Sequence, residues 1–358
     1  MIRDYASRCA HRRIGFLLPL TLSGDEVSLA AYLGCSTLRA GPRIGNRGAG
    51  EQGGPRSSIT LEALLVLGTS SSMNLEADSG SPTAFPGGFT VLMAVYSRDD
   101  PDLLGRAIES VYRNTLEPDD FVLVIDGPVP PATECVIQNY SAERGMRALW
   151  LPKNVGLSNA LNHGLRLIRT AWVARADADD INVPTRFERQ AEAIQRIANQ
   201  VDLLGGAIVE VDRTGAPLAI RDVPLQHDSI LSRLARRNPF NHMTVAYRTE
   251  SVRDAGGYPD IHLKEDYGLW ASMIARGARC VNVSDVLVRA TTGRDMYRRR
   301  GGFRHAKSEW ALQMHLFKLG LKGLLSAIMF GVARASVSLS PTWLRGRIYE
   351  RLLRKRPQ

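Results

Sequence analysis

Apolar residues recur with a regular period only from Phe89 onward. Upstream, short apolar patches such as Leu61 to Leu67 stand isolated among Gly, Ser, Arg and Pro, as in Gly41-Pro42-Arg43 and Gly53-Gly54-Pro55-Arg56. Such a composition cannot bury enough surface to offset the entropy of ordering the chain, so residues 1–86 are expected to be a disordered extension. Met73 opens the stretch that leads into the first regular element, and residues 1–72 are expected to be dispensable, an extension from too early a start codon. Phe89 to Tyr96 is a β-prone apolar run suited to a buried strand. From Asp102 to Thr115, Leu103, Leu104, Ala107, Ile108, Val111 and Tyr112 share one helical face. Phe121 to Ile125 is a second buried strand, closed by the turn signal Asp126-Gly127-Pro128. A helix over 131–144, a short strand over 148–151, a helix over 158–169 and a strand over 172–175 follow. Alternation in units of about thirty residues predicts a mostly parallel sheet flanked by helices, in one domain over 87–293.

Beyond Gly293 the pattern changes to a basic amphipathic tail over 294–358. Arg298, Arg299, Arg300, Arg304 and Lys307 cluster, two helical stretches follow over 303–319 and 321–338, and the chain ends in Arg345, Arg347, Arg351, Arg354, Lys355 and Arg356. The whole chain carries a formal charge of +10, which permits attraction to nucleic acid, anionic lipid or phosphorylated ligands without choosing among them. Leu316, Phe317, Leu319, Leu321, Leu324, Leu325, Ile328, Met329 and Phe330 add apolar area beside those charges. The tail is therefore expected on an anionic membrane surface, with packing onto the preceding domain as the competing outcome. No apolar run approaches the roughly 18 residues of a spanning helix. Arg12-Arg13 before Ile14 to Leu20 resembles a signal peptide only faintly, because Pro19 breaks the run and no small-residue cleavage site follows. Cys9, Cys35, Cys135 and Cys280 form no C-x-x-C pair, so reduced thiols in a cytoplasmic protein are expected.

The polar signals sit just after the apolar strands, where open parallel sheets bind ligands. Tyr96 and Ser97 follow the first strand, Asp126 the second, and Asp177-Ala178-Asp179-Asp180 the strand holding Trp172 and Val173. Carboxylates held together repel unless a proton or cation joins them, and oxygen ligands suit Mg2+ or Mn2+. An isolated D-x-D is more often a solvated acidic turn; its position after a buried strand favours a metal site here. Tyr96 can stack on a pyrimidine and Asp126 can accept its N–H, although a turn residue before Gly127 is the simpler reading of Asp126 alone. Gly156 lets backbone approach a ligand or merely ends a turn. Arg175 can pair with a phosphate or with the neighbouring aspartates.

Five segments, Val91-Leu92-Met93-Ala94-Val95-Tyr96, Val124-Ile125-Asp126-Gly127-Pro128, Lys153-Asn154-Val155-Gly156-Leu157, Ala174-Arg175-Ala176-Asp177-Ala178-Asp179-Asp180 and Glu265-Asp266-Tyr267-Gly268-Leu269-Trp270, occur in order. Together they resemble the family 2 glycosyltransferases, particularly those that build bacterial capsular, exopolysaccharide or O-antigen chains, over about Phe89 to Ala290. The resemblance implies the GT-A fold and inverting transfer from a nucleotide-sugar, commonly a UDP-sugar, to a glycan or lipid-linked glycan hydroxyl. It implies that Asp126 contacts the base, with Tyr96, Asn154, Gly156, Arg175 and Asp177 around the nucleotide-sugar. It implies a divalent metal at Asp179 and Asp180, with Asp177 on the ribose and diphosphate side, and Asp266 as catalytic base. Glu265, His242 and Trp270 would face the acceptor, with core packing an equal role for Trp270 and a structural hydrogen bond the commoner role for a lone histidine. Gly268 stands where the family often has Asp. The implied location is cytoplasmic, peripheral at the inner face of the plasma membrane, with no nucleic acid partner.

Two rivals remain. A metal-dependent nucleotidyltransferase also uses paired aspartates, but would place a Gly-rich basic loop after the first strand, where this chain has Tyr96-Ser97-Arg98-Asp99-Asp100. A non-enzymatic basic protein of membrane surfaces would leave the ordered acids idle.

Overall fold

The computed structural model describes residues 84–212, 214–291 and 302–340. The expectations for residues 1–83, for the basic run Arg298 to Arg300 and for the terminal arginines lie outside these residues.

The strands β1 (Phe89–Val95), β2 (Asp120–Ile125), β3 (Arg147–Trp150) and β4 (Trp172–Arg175) form where apolar residues run without interruption. Between them lie α1 (Pro101–Tyr112), α2 (Pro131–Arg144) and α3 (Leu157–Leu165). Asp100 starts α1 by accepting the amides of Asp102 at 2.9 Å and Leu103 at 3.4 Å, and Pro101 takes the first turn, where its missing N–H costs nothing. After a two-residue strand β5 (Ile181–Asn182) come α4 (Arg186–Arg196), the hairpin β6 (Leu203–Val211) and β7 (Pro217–Arg221), then α5 (His227–Leu234). A 3-10 turn over His242–Thr244 leads into β8 (Ala246–Arg248), α6 (Thr249–Asp254), α7 (Glu265–Ala275) and β9 (Cys280–Thr291).

The strand order is β3-β2-β1-β4-β8-β6-β9-β5, with β7 on β6. The first four strands are parallel, as the βα alternation predicts. The second half is mixed: β8 runs antiparallel to both β4 and β6, while β6 and β9 are parallel. This part carries no regular helix spacing in the sequence, and the β6–β7 hairpin reverses the chain without a crossover helix.

Side-chain alternation at period two splits the core between the faces of the sheet. Val91, Met93, Val95, Leu123 and Ile125 pack with Leu104, Ile108 and Val111 of α1 and Phe187, Ala191 and Ile194 of α4. Leu92, Val122, Val124 and Val173 pack with Ala160, Leu161 and Leu165 of α3 and with Leu269, Trp270 and Met273 of α7. A sheet buried on both sides explains why its strands read as continuous apolar runs.

The tail contributes two helices, α8 (Phe303–Lys318) and α9 (Leu324–Leu339). Leu312 and Leu316 of α8 lie inside the same core as α7. The His315 Nε2 lies 3.0 Å from Ser272 Oγ and 3.2 Å from the Gly268 carbonyl. Glu309, almost fully buried, binds Lys264 at 2.8 Å and Arg334 of α9 at 3.4 Å. α8 is thus part of the domain's core, and the packing outcome holds for it. α9 rests on α8 through a narrow stripe, Ala327, Gly331 and Ser338, and leaves Leu325 at 72% and Met329 at 62% exposure. Cys280 is a buried free thiol.

If α8 belongs to the core, Leu312→Ala should lower the unfolding free energy of the whole domain by about 2–5 kcal/mol, as a buried large-to-small change does. A urea titration checks this; a loss of only a few tenths would mean that α8 is an independent appendage.

Candidate functional site

The site is assembled at the carboxyl ends of β1, β2 and β4, which are neighbours in the sheet. Adjacent strands lie roughly 4.8 Å apart, so whatever follows them enters one crevice. Tyr96 follows β1, half-buried, and its backbone amide is held by the Asp99 carboxylate at 2.9 Å.

Asp126 follows β2 and is almost fully buried. Its two carboxylate oxygens accept the amides of Val155 at 2.7 Å and Gly156 at 3.0 Å, while the Asn154 Nδ2 donates to its carbonyl at 3.1 Å. Gly127 makes this approach possible. Its φ of +87° disfavours a side chain, and a Cβ there would stand 2.5 Å from the Asn154 nitrogen. Asp126 therefore ties the β2 turn to the loop preceding α3, bringing Tyr96, Asp126, Asn154 and Gly156 to one end of the crevice. Each carboxylate oxygen retains a second lone pair for a ligand N–H.

The acidic run follows β4. Arg175, buried, pairs through its guanidinium with Asp177 Oδ1 at 2.8 Å and also reaches the carbonyls of Leu92 and Ala176. Of its two open readings, the ion pair with an aspartate is the one the geometry displays. The other carboxylate oxygen of Asp177 lies 2.7 Å from the Nε2 of His242. Burial works against the charge of Asp177, but Arg175 first and His242 second outweigh it and hold the carboxyl well below the usual range. Asp179 is exposed. Asp180 is buried and accepts the Thr291 amide at 3.0 Å; burial, then repulsion from Asp179 and Asp177, pushes its carboxyl well above the usual range.

His242 is the hinge of the arrangement. Its Nδ1 lies 3.5 Å from Asp266 Oδ2, so a single imidazole spans the acidic run and the start of α7. Burial opposes a charged ring, yet 42% of the side chain remains accessible, and Asp177 followed by Asp266 holds its pKa well above the ordinary value. Asp266 also accepts the Asn238 Nδ2 at 2.8 Å and the Tyr267 amide at 2.7 Å. Burial pushes Asp266 up, but His242, the Tyr267 amide and Lys264 together bring it below its usual value. Next to it, Glu265 is pushed up to about 7 by burial and by the Asp266 charge. Of the two neighbours at the helix start, Asp266 is the ionised one at neutral pH.

Trp270 does not join this site. It is fully buried between Phe240, Tyr247 and Tyr258, with ring centroids 5.9, 5.8 and 6.4 Å away. One turn beyond Asp266 the helix already faces the core, so the expected acceptor platform is a packing residue. Two participants carried no signal of their own in the sequence. Asn238 is separated from Asp266 by more than two elements. Arg186 is buried beneath the acidic run, donates to the Arg175 carbonyl at 2.7 Å, and has its pKa lowered to about 9 by burial.

Residues 90–255 match the family model described as glycosyl transferase family 2. An uncharacterized glycosyltransferase of Haemophilus influenzae is 40% identical over 268 residues, covering 75% of this chain and 99% of that protein. The UDP-Gal:alpha-D-GlcNAc-diphosphoundecaprenol beta-1,3-galactosyltransferase of Escherichia coli is 35% identical over 268 residues, covering 75% of this chain and 97% of that protein. Among solved structures, the mannosyltransferase PcManGT from Pyrobaculum calidifontis, in complex with GDP-Man and Mn2+, has the same fold with a TM-score of 0.51, 16% identity, and coverage of 76% of this chain and 82% of that one. With a GT-A sheet, an acidic run at the end of β4 and relatives matched over nearly their whole length, the chain belongs to glycosyl transferase family 2 and is a glycosyltransferase.

Proposed function

We propose that this enzyme transfers a sugar, with inversion, from a UDP-sugar to a hydroxyl of a diphosphate-linked glycan during bacterial surface polysaccharide synthesis. The observation that carries the reading is the His242 bridge, which links the acidic run on the donor side to an ionised Asp266. The acceptor oxygen attacks the anomeric carbon as the bond to the nucleoside diphosphate breaks, and the diphosphate leaves with the electron pair. Asp266 takes the hydroxyl proton as the new bond forms; a carboxylate this acidic suffices because the hydroxyl becomes acidic only during attack. His242, charged between two carboxylates, holds Asp266 in place and keeps it ionised. The E. coli relative, named for a UDP-Gal donor and a diphosphoundecaprenol-linked acceptor, supports the choice of both substrate classes.

A divalent cation fits the acidic run. Asp180 is a buried carboxyl beside like charges, the environment a hard cation relieves, and Asp179 is open to solvent. No three His, Cys, Asp or Glu side chains among the described residues form a cage, so donor oxygens and water would complete the coordination. When bound, Mn2+ or Mg2+ supplies charge stabilisation for the departing diphosphate; the complex of PcManGT with GDP-Man and Mn2+ supports that choice. The outer face of α9, with Leu324, Leu325, Ile328, Met329 and Val332 exposed, supports a peripheral location on the cytoplasmic face of the membrane, where lipid-linked acceptors lie.

Release of nucleoside diphosphate from a panel of UDP-sugars tests the reading. Turnover should require Mn2+ or Mg2+ and vanish in Asp179→Ala; full activity in excess chelator would remove the metal from the scheme.

Asp266→Asn should retain donor binding and lose transfer by about a hundredfold or more; near-normal transfer by the folded variant would move the base to Glu265. Glu265 also has a stability signature. Its folded pKa of about 7 exceeds its ordinary 4.5, so the folded state holds the extra proton and stability falls as pH rises between those values. In Glu265→Gln that fall should flatten when melting temperature is followed against pH.

For the membrane face, the full chain should cosediment with anionic vesicles at low salt, and Leu325→Glu should weaken this. Equal binding by the variant would locate the contact elsewhere.

A further inference from the structure

Just before the loop that anchors Asp266, the chain reads Arg233-Leu234-Ala235-Arg236-Arg237-Asn238. The end of α5 and this loop form an open recess of about 480 Å³, lined by Ser229, Ser232, Arg233, Arg236 and Arg237. Three guanidinium groups therefore share one recess. The arginines around them are already neutralised: Arg221 pairs with Glu210 and Arg334 with Glu309. By contrast, no carboxylate of a described residue lies within ion-pair distance of Arg233, Arg236 or Arg237, although Asp222 tempers Arg233 from farther away. The Nε of Arg233 is buried without a hydrogen-bond partner. Burial first and then the charge of Arg237 lowers the pKa of Arg233; burial and then Arg221 and Arg334 do the same to Arg237. Like charges are being held together at a cost that a bound anion relieves.

The surroundings fix this loop firmly. Lys322 donates to the Ala235 carbonyl at 2.8 Å, Arg334 to the Arg236 carbonyl, and the Tyr267 hydroxyl to the Leu234 carbonyl. Two of these donors come from the tail and one from the residue after Asp266. Arg237 directly precedes Asn238, whose side chain binds Asp266 at 2.8 Å. A strongly anionic group seated on the arginines would thus rest on the same loop that positions the candidate base.

We propose that the Ser229, Ser232, Arg233, Arg236 and Arg237 recess binds the diphosphate of the acceptor and so presents the acceptor sugar to Asp266. The assignment rests on the glycosyl-transfer reading above. Arginine suits the task because its planar fork matches phosphate oxygens in pairs, and the two serine hydroxyls add donors. The recess shares no residue with the acidic run, to which the donor diphosphate and its cation are assigned above. The tail helices have a part in this: Lys322 and Arg334 hold the anion-binding loop in shape.

Two readouts test the site on the full chain. The first is calorimetric titration with inorganic pyrophosphate in excess chelator, which silences metal-dependent binding at the acidic run. Saturable binding is expected, weakened by about tenfold or more in Arg237→Gln and in Arg233→Gln, the scale of one charge-assisted contact. Arg237→Lys should recover part of it. The second is transfer to one sugar carried either on a diphosphate or on a neutral group. In Arg237→Gln the KM for the diphosphate acceptor should rise by the same factor, with kcat and the KM for the neutral acceptor unchanged. Pyrophosphate binding that is equal in wild type and Arg237→Gln overturns the proposal, as does an equal loss with both acceptors. Arginine-dependent pyrophosphate binding without any sugar transfer would uphold the anion site and reject the transferase reading on which its acceptor role depends.

Discussion

An imidazole held between two carboxylates is the interaction on which the rest of the site depends. Asp177 ends the parallel half of the sheet and Asp266 begins a helix almost ninety residues later, yet His242 reaches both. Without a cation between them, these half-buried acids would repel each other, which favours protonation of one. Arg175 and His242 share the charge of Asp177, and His242 extends that balance to Asp266, helped there by the Tyr267 amide and Lys264. The consequence is functional as well as structural. Asp266 stays ionised, whereas its neighbour Glu265, with no such partner, is half protonated near neutrality.

Like charges crowd together at two places. Asp180 sits buried beside like charges in the acidic run, and Arg233, Arg236 and Arg237 crowd together at the end of α5. By contrast, buried Glu309 lies between Lys264 and Arg334, and Arg186 is surrounded by carbonyl and amide oxygens. These two clusters are the ones to which the proposed cation and the proposed acceptor diphosphate are assigned. The tail belongs to this arrangement. α8 fills the core beside α7, and two side chains from Lys322 onward support the arginine loop.

Much of this was legible in the sequence because it depends on local pattern. Uninterrupted apolar runs located β1, β2 and β4, and the polar residues immediately after them were bound to emerge at one sheet edge, since parallel neighbours share direction. Five short motifs in order were enough to indicate the family. The helices of the tail were legible from their periodicity alone. The second half of the sheet was not, because β8 spans three residues and pairs antiparallel on both sides without any spacing signal.

The sequence by itself determined the α/β alternation, the order of the strand-end aspartates and the amphipathic tail, all of which follow from side-chain period and from chain direction. Tertiary structure decided what those residues touch. It buried Trp270 in the core one turn beyond Asp266, turned Arg175 toward Asp177, and made α8 a core helix while leaving α9 with an apolar outer face. It also brought His242 and Asn238 to Asp266 and gathered three arginines into one recess. These outcomes depend on packing between elements far apart in the chain, where a side chain's partner is set by the distance and angle between two surfaces, and no local periodicity records either.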